Sequence, residues 1–66
     1  MADEVVASRL VTRLREAERL AAGGKVGEAK TILKEVVREA REKGLEKSLH
    51  NLISRVRAVI RHKTRR

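Results

Sequence analysis

GGKVGEAKTILKEVVREAREKG, residues 23–44, is the stretch whose reading decides the fold. At 100° per residue, Ala29, Ile32, Leu33, Val36, Val37 and Ala40 fall on one stripe. Lys30, Lys34, Glu35, Arg38, Arg41 and Glu42 cover the other side, with signs mixed. One apolar stripe opposite a charged face is the pattern of a helix that buries one side. Gly23-Gly24 in front and Gly44 behind act as stops, because glycine enters the left-handed conformation that ends a helix without strain. The stretch is therefore expected to hold a helix over about 26–43. Its start is weakly specified, since Lys25 is a poor cap and Gly27 is costly in a first turn.

Working outward gives two more amphipathic segments. Towards the N-terminus, Val6, Leu10, Leu14, Ala17, Leu20 and Ala21 share a face, opposite Ser8, Arg9, Thr12, Arg15, Glu16 and Arg19. Asp3 is the expected cap, with Glu4 favourable in the first turn, for a helix over about 4–22. Towards the C-terminus, Leu45, Leu49, Leu52, Ile53, Val56, Val59 and Ile60 share a face. The reverse side carries Lys47, His50, Asn51, Ser54, Arg57, Ala58 and Arg61, for a helix over about 46–62. Three amphipathic helices joined by short glycine turns predict an all-α, antiparallel three-helix bundle. The domain is expected to span 1–62, with 63–66 a frayed basic tail.

The 66 residues include no Phe, Tyr, Trp, Cys, Pro or Gln, so the core must come from Leu, Val, Ile and Ala. Without cysteine there is no disulfide framework, thiolate metal site or thiol redox chemistry. No apolar run approaches the ~20 residues of a membrane span. The acidic start, Met1-Ala2-Asp3-Glu4, does not read as a secretory signal, so a cytoplasmic location is expected for a natural protein.

Charge carries the functional reading. Residues 1–46 hold ten Lys/Arg against nine Asp/Glu, whereas residues 47–66 hold seven Lys/Arg and no acid. Nearly all of the net +8 thus sits in the last twenty residues. Phosphate neutralisation needs Arg and Lys, and close approach to base edges needs small or amide side chains. Lys47, His50, Asn51, Ser54, Arg55, Arg57 and Arg61 supply that mixture, and DNA or RNA is the expected partner. Cations near the end of a helix also complement its dipole, which accounts for Arg61 and Lys63 but not for the absence of acid after Glu46. With no aromatics to stack bases, single-strand platforms are disfavoured.

Three local patterns resemble known families. Leu20-Ala21-Ala22-Gly23-Gly24-Lys25-Val26-Gly27-Glu28-Ala29 resembles the turn of a tetratricopeptide-type helical hairpin, occurring once, with Val26 where that family has an aromatic. Residues 8–57 are similar to the three-helix ribosomal small-subunit protein twenty family. The similarity lies in the Gly24-Lys25…Glu28-Ala29 turn, the Lys43-Gly44-Leu45 turn and a basic helix with His50, Asn51 and Arg55. It implies rRNA binding, although the family's long basic N-terminal helix is replaced here by the acidic Asp3-Glu4. Ala40, Gly44, Leu45 and Ile53 match a helix-turn-helix spacing, whereas Glu39, Lys43 and His50 stand where that motif is apolar. The restricted composition and compact glycine loops also resemble a designed, idealised bundle. A scaffold or protein-interaction module, natural or designed, is therefore the alternative function.

Other constellations give less. Glu46, His50 and Ser54 recur at i, i+4, i+8 and mimic a hydrolytic triad, but no oxyanion donor or pocket accompanies them. The chain is not expected to be an enzyme or to take a small-molecule substrate or cofactor. His50 and His62, about 18 Å apart along one helix, cannot share a metal ion. Val5 and Val11 lie at the edge of the first apolar face and could carry a weak homodimer contact or simply sit exposed. Adsorption of the last helix to anionic membranes is disfavoured by the missing interfacial aromatics.

Overall fold

Each of the three helices buries residues at the same spacing of i, i+4, i+7 and i+11. The buried residues are Leu10, Leu14, Ala17 and Ala21 in α1 (Ala2–Ala22), and Ala29, Leu33, Val36 and Ala40 in α2 (Val26–Glu42). In α3 (Glu46–Thr64) they are Leu49, Ile53, Val56 and Ile60. This spacing is the narrow face a helix presents to two neighbours at once. In the computed structural model, which describes residues 2–64, the three faces meet in one aliphatic cluster and every helix touches the other two. The protein is an all-α three-helix bundle, as its apolar stripes predict.

A collar of partly buried side chains, Val6, Val11, Leu20, Val26, Ile32, Val37, Leu45, Leu52 and Val59, closes the edges of the cluster. Val11 therefore belongs to the bundle, whereas Val5 stands 69% exposed. Fully burying a Leu or Val contributes about 1.5–3 kcal/mol, and Leu10, Leu14, Val36 and Val56 are the largest such side chains.

Both turns are built alike. After α1, the Gly24 N–H donates to Ala21 O at 3.0 Å and the Lys25 N–H to Leu20 O at 2.8 Å. After α2, the Gly44 N–H donates to Arg41 O at 3.3 Å and the Leu45 N–H to Ala40 O at 2.7 Å. These paired bonds satisfy the last carbonyls of each helix and need a left-handed residue between them. Gly24 and Gly44 provide it, at φ 93° and 72°. The weak start of α2 is also as expected, because Lys25 makes no side-chain capping bond.

The helix ends differ from expectation in three places. α1 starts at Ala2, so Asp3 lies within its first turn rather than at the cap position. α2 stops at Glu42, with Lys43 as its C-cap. α3 continues through Lys63 to Thr64, whose hydroxyl donates to Ile60 O at 2.8 Å, so these two residues are helical rather than frayed. The rest of the expected tail, Arg65 and Arg66, lies outside the described residues.

Candidate nucleic-acid interface

Helix α3 runs with Leu49, Ile53, Val56 and Ile60 inward, which leaves Lys47, His50, Asn51, Ser54, Arg55, Arg57 and Arg61 exposed. They share one outer arc of the helix, with Arg55 and Arg57 at its two edges. Arg55 and Arg57 are about 160° apart around the helix axis, given 100° per residue. Arg55 stands on the shoulder towards α1, where its Nε donates to Glu18 Oε2 at 3.1 Å. Arg57 and Arg61 stand on the opposite shoulder, towards α2. Asn51 and Ala58 occupy the outermost arc between them, with Lys47 beside them.

The α2-facing shoulder opens on a surface groove of about 1130 Å³. One wall is α2, with Lys30, Lys34, Arg38 and Arg41; the other is α3, with Arg57 and Arg61. Among the described residues Glu42 is the only acid lining it. The base consists of Leu33, Val37, Ile60 and Thr64, and it is nearly closed, since Leu33 is 9% and Ile60 6% exposed. The groove is therefore a cation-walled feature above a largely closed core, with apolar surface along its floor and walls.

The four cations of α2 were not among the sequence-derived candidates. Taken along the chain, their helix alternates in sign and looks neutral. Around the axis the signs separate. Lys30, Lys34, Arg38 and Arg41 fall within an arc of about 80°, and Glu28, Glu35, Glu39 and Glu42 within an adjoining arc of about 60°. The acid arc meets α1, where Arg9 pairs with Glu39, and Arg13 Nη2 pairs with Glu35 Oε1 at 2.8 Å. The cation arc is thereby turned onto α3. Arg41 also reaches Glu46 Oε2 across the turn at 3.4 Å. Among the described residues no ion pair takes Lys30, Lys34, Arg38, Lys47, Arg57 or Arg61.

The Glu46, His50, Ser54 line stays unconnected: no hydrogen bond joins its members, and Glu46 faces Arg41 instead. Among the described residues no three His, Cys, Asp or Glu side chains cluster for a metal ion. No helix among them is long and apolar enough to cross a membrane. The chain matches no family model and no curated protein sequence.

Proposed function

We propose that the protein is a small nucleic-acid-binding module that presents the basic face of α3, with Lys47, Arg57 and Arg61 on phosphates. His50, Asn51 and Ser54 flank these cations and offer hydrogen bonds to sugars or base edges. The observation that carries the reading is the uneven consumption of charge. Arg9, Arg13 and Arg55 are engaged by acids of neighbouring helices, whereas Lys47, Arg57 and Arg61 are exposed and unpaired among the described residues. Free cations held on a rigid helix attract a polyanion at little ordering cost. Arg55 contributes less to such a surface, because Glu18 neutralises it.

The test is fluorescence anisotropy of labelled duplex DNA and of an RNA hairpin, titrated with the protein at low salt. Arg57→Glu with Arg61→Glu is expected to abolish binding without loss of helicity by circular dichroism. Unchanged affinity in that double variant sinks the reading, and absence of binding by the native chain leaves the scaffold function in its place.

A further inference from the structure

We infer that the α2–α3 groove is a two-walled phosphate clamp that seats the sugar–phosphate ridge of a nucleic-acid duplex, with α2 supplying most of the cations. The inference rests on the nucleic-acid reading above and extends it to a helix that the charge distribution along the sequence does not single out.

Three observations lead to it. First, among the described residues six cations line the groove against one acid, and four of the six belong to α2. Lys30, Lys34 and Arg38 recur every four residues, so they form a row inclined about 26° to the axis, rising about 6 Å per step. A row of that kind follows a charged backbone rather than a point anion. Second, the core side chains beneath the groove are already closed over. Leu33 and Ile60 are already buried, and only Val37 among the aliphatic side chains at the base is half-buried. An amphipathic partner helix inserts a stripe of apolar side chains into an open cleft. With Leu33 and Ile60 buried the core opens no such cleft here, whereas a phosphate backbone needs only the cations at the walls. Third, the chain has no aromatic residue, which removes the stacking platform that holds unpaired bases. A paired duplex, with its bases already stacked, makes no such demand.

Like charges face each other across the groove, but the side chains are long and exposed, so water and salt screen the repulsion. A bound polyanion would convert that repulsion into attraction and release condensed counterions, which is the main source of affinity for phosphate backbones.

The experiment is a salt titration of duplex DNA, duplex RNA and a poly-dT single strand against the full chain by anisotropy. If all six cations engage, affinity for duplex DNA should fall about 2,000-fold between 50 and 200 mM salt, at a slope of about 0.9 per phosphate. Lys30→Gln/Lys34→Gln/Arg38→Gln, which leaves α3 intact, should reduce that fall to about 40-fold, three contacts having been lost. His50→Ala/Asn51→Ala should leave the slope unchanged. DNA and RNA duplexes share the clamp's chemistry, and their relative affinity identifies the natural source. A native salt slope in the α2 triple variant, with weakened binding in Arg57→Gln/Arg61→Gln, overturns the clamp and leaves an α3-only interface. Tighter binding of poly-dT than of either duplex overturns the duplex assignment. A synthetic Glu-rich amphipathic helix that binds more tightly than both duplexes, with little salt dependence, overturns the clamp in favour of a protein-docking groove. No binding of any nucleic acid at 50 mM salt removes the underlying function itself.

Discussion

The two seams of α2 are built from the same helix and end with opposite electrostatics. On the α1 side, Arg9 meets Glu39 and Arg13 meets Glu35, a crossed ladder in the register of antiparallel helices. On the α3 side, Lys30, Lys34 and Arg38 look across a groove at Arg57 and Arg61. Both seams rest on the same core stripe, and the α2–α3 seam is the more thinly packed. Charge is thus divided around one helix: the face towards α1 engages it in ion pairs, and the face towards α3 leaves Lys30, Lys34 and Arg38 without an ion pair among the described residues. Exposed pairs such as these contribute only about 0.2–1 kcal/mol each, so the bundle can leave one seam unpaired at modest cost.

The comparison can be broken most completely at what both seams share. Leu14 is fully buried, and Leu14→Ala should cost about 2–5 kcal/mol in urea unfolding. A change below about 1 kcal/mol would mean that the cluster is not the common support. Next in size is the turn that swings α3 beside α2. Gly44 has φ 72°, so Gly44→Ala should lose about 1–2 kcal/mol through left-handed strain. Gly27 makes the opposite case. It sits inside the first turn of α2 without positive φ and with open space at its missing Cβ, so Gly27→Ala should gain about 0.5–1 kcal/mol. Thermal melts of the two variants should shift in opposite directions.

The finest test inverts one charge in each seam. Arg13→Glu places an acid opposite Glu35 and should destabilise by about 0.2–1 kcal/mol. Arg57→Glu introduces an acid among the cations of the groove and should stabilise by a similar amount while weakening duplex binding. Both shifts should shrink between low and high salt. Melting temperatures that move in the same direction would show that the seams are electrostatically equivalent after all.

Much of this architecture is legible in the amino-acid sequence, because burial leaves a local mark. Leu33, Val36 and Ala40 announce their shared face through spacing alone, and Gly24 and Gly44 announce the turns because few other residues tolerate their backbone conformation. The extra two residues at each outer end are less visible: Asp3 reads equally well as a cap or as a first-turn acid. The groove is harder still. Whether Lys34 faces Glu35's partner helix or Arg57's depends on which neighbour lies on which side, and that is a property of the assembled bundle. Arg55 shows the same limit, since nothing near it in sequence signals Glu18, 37 positions away. The acid-free C-terminal third draws attention to α3 by its composition, whereas the cations of α2 are masked by the acids interleaved with them.

The purely aliphatic interior has a practical consequence. A chain without Trp, Tyr or Phe has essentially no near-ultraviolet fluorescence of its own, so any emission must come from a residue deliberately placed. Val37, half-buried at the base of the groove, is the natural position for one. A lone indole there would report on that single surface against a dark background, brightening or dimming as the groove fills and staying indifferent to events elsewhere in the bundle.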